Sequence, residues 1–278
     1  MFVSMIERKI PSTGELLPVI GLGTWQTFDV GNDRAVRARL AEVLRVFFDG
    51  GGKLIDSSPM YGKSEGVVGD LLAQLDFHKK AFLATKVWTT GEQAGIEQMR
   101  QSAELMRTKT IDLMQIHNLV DWRTHLATMR RMKDDGLLRY VGITHYTVDA
   151  LPDLAAIIEK EPLDFVQLIY SIEKRDAEKR LLPLAADRGV AVLANLPFGG
   201  GRLLSGLGRS PLPAWAAEIG CASWPQFMLK YIVSHPALTC AIPATANPVH
   251  MADNIAAGAG PMPDEATRQR MAKLWDSL

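Results

Sequence analysis

Eight short apolar stretches alternate with helical stretches along this 278-residue chain, and no other feature constrains the fold so tightly. The apolar stretches fall at residues 18–24, 54–57, 81–88, 110–117, 140–146, 164–170, 189–199 and 238–245. Between them the hydrophobic residues recur with a helical period. Val36, Leu40, Val43, Leu44 and Phe47 form one stripe, and Ile96, Met99, Ala103 and Met106 form another. Ala177, Leu181, Leu184 and Ala185 repeat the pattern, as do Trp224, Phe227, Met228 and Tyr231. Ser64 and Asp121 stand where caps of the second and fourth helices are expected. Strands that are apolar on both faces imply a parallel sheet covered by helices. Eight such units with no break half-way predict one closed (β/α)8 TIM barrel over residues 1–278. An open doubly wound sheet is the minority alternative. It would carry a Gly-rich nucleotide loop after the first strand, and Gly21-Leu22-Gly23-Thr24-Trp25-Gln26 is not that fingerprint. Residues 6–17 hold a Ser-Thr-Gly-Glu turn signal and predict a β-hairpin that caps the bottom of the barrel.

Composition narrows the class. Thirty-one basic and thirty-one acidic residues cancel, so no basic excess points to nucleic acid. Cys221 and Cys240 are too few for a disulfide framework or a thiolate metal site, and both read as small core residues. No apolar run approaches the roughly 20 residues that span a bilayer, and the first ten residues lack a secretory core. The expectation is a soluble chain in a reducing, cytoplasmic compartment, monomeric or weakly self-associated.

The polar residues at the strand ends carry the functional reading. In a barrel of this kind the site lies at the C-terminal ends of the strands. The stretch at 54–62, Leu-Ile-Asp-Ser-Ser-Pro-Met-Tyr-Gly, turns abruptly from apolar to polar. Asp56 closes the second strand, Lys86 lies in the third, His117 closes the fourth, and Tyr61 follows one turn beyond Asp56. Each has an ordinary structural reading when taken singly. An ammonium inside a barrel is costly without a counter-ion, however, and Asp56 is the natural one. Four different titratable groups gathered from three consecutive strands describe a site.

These motifs resemble those of the aldo/keto reductase superfamily over nearly the full chain. Residues 17–25 resemble its first barrel strand, and residues 54–62 its Asp…Tyr-Gly motif. Thr85-Lys86-Val87-Trp88 resembles its lysine strand, and residues 111–118 its histidine strand. The spacings of 5, 25 and 31 residues between Asp56, Tyr61, Lys86 and His117 match the family tetrad. The resemblance implies an NAD(P)H-dependent oxidoreductase that reduces the carbonyl of an aldehyde or ketone. Tyr61 would supply the proton, with Lys86 lowering its pKa from near 10. Asp56 would hold Lys86, and His117 would donate a hydrogen bond to the carbonyl oxygen.

Cofactor contacts follow from the same resemblance, at Gly23, Thr24, Trp25 and Asp56, then at Thr144, His145 and Gln167. Strand seven would contribute Asn195, Leu196, Pro197 and Phe198, with Gly200 and Arg202 beyond it. Strand eight would contribute Ile242, Pro243, Ala244 and Thr245, followed by His250, Asp253 and Asn254. His145 stands where the family usually has Asn, and Asn195 where many members stack a Tyr on the nicotinamide. Ala244 and His250 replace the Lys and Arg of members that prefer NADPH. The resemblance therefore favours NADPH only modestly and leaves NADH or dual use open. Trp25, Met60, Trp88 and His117 would face the substrate, although Trp25 and Trp88 read equally well as rim core residues. The partner implied is a small-molecule carbonyl, with no nucleic acid, no membrane and no metal. Two rivals remain: a nicotinamide-binding module on the same barrel without turnover, and a metal enzyme using Asp56 and His117. The second lacks an evident third ligand, and Lys86 would repel a cation.

Overall fold

A two-stranded antiparallel hairpin, β1 (Glu7–Lys9) and β2 (Leu16–Pro18), precedes an eight-stranded parallel sheet whose strands lie in chain order. These are β3 (Leu22–Gly23), β4 (Leu54–Asp56), β5 (Phe82–Val87), β6 (Ile111–His117), β7 (Leu138–Thr144), β8 (Phe165–Ile169), β9 (Ala191–Asn195) and β10 (Cys240–Ala241). The structure is a computed structural model and describes residues 4–208 and 210–278. Helices α1 (Arg34–Asp49), α2 (Ser64–Leu75), α3 (Glu92–Leu105), α4 (Trp122–Asp134), α5 (Leu151–Lys160) and α6 (Leu181–Asp187) follow β3 to β8 in turn. The short α7 (Arg202–Gly206) and α8 (Trp224–Val233) lie between β9 and β10, and α9 (Pro248–Ala256) and α10 (Glu265–Asp276) end the fold. This is the expected (β/α)8 barrel with its N-terminal hairpin.

The ring closes through few bonds. Gly21 donates to Ala241 O at 2.8 Å, Ala241 to Val19 O at 2.9 Å, and Gly23 to Pro243 O at 3.0 Å. A Cβ on Gly23 would sit 2.8 Å from Ile242 O, so a side chain at that point would force the seam apart. Glycine and proline also explain why β3 and β10 keep only two residues each where seven and eight apolar residues had suggested longer strands. Pro18 and Pro243 offer no N–H to a ladder.

Two apolar clusters hold the fold. One fills the layer between the sheet and the helices, with Val43, Leu44, Phe47, Ile116, Ile143 and Phe227 fully buried. The other fills the barrel bore with Leu54, Phe82, Leu113, Tyr140 and Phe165, stoppered by Ile10 and Leu17 of the hairpin. The Tyr140 hydroxyl donates to Glu15 Oε2 at 2.6 Å and so ties the hairpin to β7. The two expected caps have other partners. Asp121 Oδ2 accepts from Gly91 N–H at 2.8 Å instead of capping α4. Ser64 is the first residue of α2, and its hydroxyl donates to Tyr61 O at 2.8 Å. The first bond ties α4 to the loop before α3, and the second fixes the loop that carries Tyr61.

Candidate active site

Side chains alternate inward and outward along a strand, and here the inward set changes character from bottom to top. Leu54, Phe82, Leu113, Tyr140, Phe165 and Leu193 are apolar. Two or four residues on, the same face carries Asp56, Lys86, Gln115, His117, Thr144, Gln167 and Asn195, all buried. Asp56 sits at the centre of this polar layer. Lys86 Nζ donates to Asp56 Oδ2 at 2.6 Å and to Ser57 O at 2.7 Å. The amide nitrogens of Gln115 and Gln167 donate to Asp56 Oδ1 at 3.0 and 2.9 Å. Gln167 also reaches Gln115 Oε1 at 3.1 Å and accepts from the Thr144 hydroxyl at 3.1 Å. A buried ion pair survives only when its remaining lone pairs and protons are satisfied, and this layer satisfies both Asp56 oxygens.

Tyr61 and His117 lie above that pair. Lys86 Nζ is 4.9 Å from the centre of the Tyr61 ring. The Tyr61 and His117 rings meet edge to face with centres 5.9 Å apart. Burial works to lower Lys86, but Asp56 and Tyr61 outweigh it and hold the ammonium above its usual range. For Tyr61 the net direction is upward: burial raises the phenol, and the Lys86 charge offsets only part of that rise. The net lowering expected from the sequence does not hold in the free protein, because desolvation outweighs the neighbouring charge. Burial, the Lys86 charge and His145 together push His117 down to about 3, so its ring is neutral at pH 7. Its Nδ1 faces Ser58 Oγ at 3.0 Å.

A cavity of about 520 Å³ opens over these groups. Asp56, Met60, Tyr61, His117, Thr144, Gln167 and Asn195 form one end of it. Gly23, Thr24, Trp25, Leu196, Pro197, Phe198, Gly200 and Ile242 line it further, as do Ala244, Thr245, His250, Asp253 and Asn254. Residues 199–201 all have positive φ, from 57° to 93°, which only glycine adopts without strain. Gly200 and Gly201 thus leave the wall bare of side chains. Beyond them α9 begins, with Asn247 as its cap. The wall thus combines bare glycine backbone with amide, hydroxyl and imidazole side chains. No Lys or Arg lies among the described residues that line it.

Five of the sequence-assigned residues are not on the cavity wall. Lys86 is buried beneath it, held by Asp56 and Ser57 O. His145 Nδ1 accepts from the amides of Tyr146 and Thr147, at 3.1 and 3.3 Å, so its ring is held back as a local cap. Arg202 pairs with Glu173 instead of turning inward. Pro243 contributes its carbonyl to the barrel seam. Trp88 stands at the rim, 6.5 Å from the His117 ring, with its backbone clasped by Gln98. Asp253 reaches the wall, but both its oxygens are engaged by Ser223 and Gln226. Sequence reasoning missed Gln115 and Ser58, and also Gln26, Thr27, Tyr146, Leu204 and Pro225 on the wall. Gln115 was findable: it is two residues before His117 and pairs in register with Lys86. Among the described residues no three His, Cys, Asp or Glu side chains are grouped as metal ligands, and no helix is long and apolar enough to cross a membrane.

The family model described as "Aldo/keto reductase family" matches residues 19–274. The chain belongs to the aldo/keto reductase family. Its members are NAD(P)H-dependent oxidoreductases that act on carbonyl compounds, and that general activity holds for this aldo/keto reductase. It is 29% identical over 260 residues to the methylglyoxal reductase YeaE of Escherichia coli strain K12, covering 91% of this chain and 89% of that protein. It is 26% identical to an NADH-specific methylglyoxal reductase of the same organism, covering 81% and 78% of the two. Its fold superposes on an aldo-keto reductase of Klebsiella pneumoniae solved with NADPH, at a TM-score of 0.82 and 24% identity, over 98% and 96% of the two chains.

Proposed function

We propose that this aldo/keto reductase reduces the carbonyl of small aldehydes and ketones to alcohols, with 2-oxoaldehydes such as methylglyoxal as the first substrates to try. The observation that carries the reading is the charged Lys86–Asp56 pair, buried at 2.6 Å directly beneath Tyr61 and His117 at the floor of an open cavity. The substrate class is taken from the two relatives named as methylglyoxal reductases. A bound reduced nicotinamide supplies the hydride. Reduction of a carbonyl would leave negative charge on its oxygen. His117 donates a hydrogen bond to that oxygen and Tyr61 gives it a proton, which solvent later restores. Raised by burial, the Tyr61 phenol stays protonated at neutral pH and is ready for reduction. Lys86 keeps the reverse direction accessible by favouring the phenolate, and Asp56 keeps Lys86 charged and fixed. Thr144, Gln167 and Asn195 line the cavity over the Lys86–Asp56 pair and are proposed to face the nicotinamide. Thr245, His250 and Asn254 are proposed to hold the adenosine end, with NADPH favoured modestly.

The test is a panel of carbonyls, methylglyoxal included, run with NADPH and with NADH while the absorbance of the reduced nicotinamide is followed. The Tyr61→Phe variant serves as control. Its kcat for reduction is expected to fall by at least ~100-fold, while the cofactor Kd stays within about twofold. Cofactor binding without turnover of any carbonyl by the wild type would make the chain a binding module. Loss of cofactor binding in Tyr61→Phe would remove Tyr61 from the role given to it.

A further inference from the structure

A neutral imidazole donates from only one of its two nitrogens, and the partner of the other decides which one. His117 turns Nδ1 to Ser58 Oγ at 3.0 Å. Among the described residues its Nε2 has no hydrogen-bond partner, and it is not among the enclosed, unpartnered atoms, so it is open to the cavity that the ring lines. Ser58 is fully buried. Its oxygen also faces the amide N–H of Met60 at 3.2 Å. The rings of Tyr61 and Trp88 also neighbour the imidazole, and their faces and edges do not distinguish one nitrogen from the other.

Two proton arrangements can be drawn. With the proton on Nδ1, Ser58 Oγ would accept two hydrogen bonds, from Met60 and from His117. Its own hydrogen would then be buried without an acceptor. With the proton on Nε2, Met60 donates to Ser58 and Ser58 donates to Nδ1, and every enclosed hydrogen has a partner. Leaving a buried donor unpaired is the costlier choice. We propose that Ser58 is a positioning residue that fixes His117 as the Nε2–H tautomer, so that the single N–H of the ring is aimed into the cavity at the carbonyl oxygen. The catalytic consequence rests on the reductase reading, whereas the tautomer itself does not.

The experiment is ¹⁵N NMR of the full chain labelled at histidine, with the His117 signals identified by their loss in His117→Gln. Kinetics with methylglyoxal and NADPH accompany it. In the wild type we expect Nε2 protonated and Nδ1 bare and hydrogen-bonded. Ser58→Ala is expected to show both tautomers and to lose about tenfold in kcat, with the Kd for NADPH within twofold of wild type. Ser58→Thr, which keeps the hydroxyl, is expected to restore both the spectrum and kcat. A wild-type proton on Nδ1 overturns the proposal, as does a Ser58→Ala protein with the wild-type tautomer and kcat. A wild type that reduces no carbonyl overturns the reductase reading alone, because the spectrum is recorded on the free protein and decides the tautomer in either case.

Discussion

Replacing Lys86 by Met removes the positive charge beneath Tyr61, and the structure fixes both the sign and the rough size of the result. The ammonium lies 4.9 Å from the ring centre. At an effective dielectric near 20 the interaction with a phenolate there is worth about 3 kcal/mol, or roughly two pKa units. Lys86 lowers the Tyr61 pKa, whereas burial and Asp56 raise it. Without the lysine only the raising influences remain. Oxidation of an alcohol needs Tyr61 as phenolate, so its rate against pH should move up by about two units. At a fixed pH below that limb, oxidation should fall by about 100-fold. Reduction uses the protonated phenol and should lose less. The assay is kcat/KM in both directions across pH. An oxidation profile that stays in place would mean that Lys86 does not tune Tyr61.

The same substitution strands a carboxylate. Asp56 keeps its two amide donors but loses its counter-ion, and removing one partner of a buried pair costs about 3–5 kcal/mol. Against a typical total of ~5–15 kcal/mol that is a large loss, and a denaturant midpoint should report it. The double variant Asp56→Asn/Lys86→Met separates stability from chemistry. It leaves two neutral groups, so much of the lost stability should return. Its oxidation profile should still lie above wild type, though by less than in Lys86→Met, because Lys86 acts on Tyr61 more strongly than Asp56 does.

Three further outcomes are expected. With Ala244 and His250 on the cavity wall and no Lys or Arg among the described wall residues, the binding free energies of NADPH and NADH should differ by less than about 3 kcal/mol; fluorescence titration measures both, and a wider gap would contradict the reasoning. Gly69→Ala should destabilise the fold by about 3 kcal/mol, read as a lowered melting temperature, because its Cβ would lie only 2.1 Å from Leu105 O where α2 crosses the end of α3; an unchanged melting temperature would refute that packing. His117 titrates at 6.5 unfolded and at about 3 folded, so the unfolded chain binds more protons between those values and stability must fall as pH drops below 6.5. Between pH 7 and pH 5 the loss should be about 2 kcal/mol, and His117→Gln should flatten that part of the curve. An unaltered slope in the variant would put the titration elsewhere.

The barrel was legible in the sequence because its signal is repeated eight times and each repeat is local. A two-faced apolar strand followed by a stripe of period 3.6 needs no knowledge of distant residues. The seam was less legible, since the extent of β3 and β10 depends on how far two chain-distant strands, broken by glycine and proline, can still pair. The site divides along the same line. Asp56, Lys86 and His117 could be found because parity in a strand fixes the face a side chain takes, and a polar residue on an inward face of a barrel has few places to be other than its mouth. Gln115 obeys that rule too, and reading every second residue back from His117 finds it. Ser58 does not, because it lies in a loop where no period applies and its partner is 59 residues away.

What the sequence could not supply were the outcomes of competition. His145 was assigned a carboxamide-binding place by its position, yet two neighbouring backbone amides hold its Nδ1. Arg202 was assigned to the cofactor by the same logic, yet Glu173 is its partner. The Tyr61 pKa had its sign reversed because charge proximity can be read from motif spacing whereas depth of burial cannot. Spacing tells which groups meet; only the folded surroundings tell which of their interactions wins. In this protein they leave the phenol protonated, the imidazole neutral and the ammonium charged. That combination of protonation states suits the proton delivery proposed for Tyr61 at neutral pH.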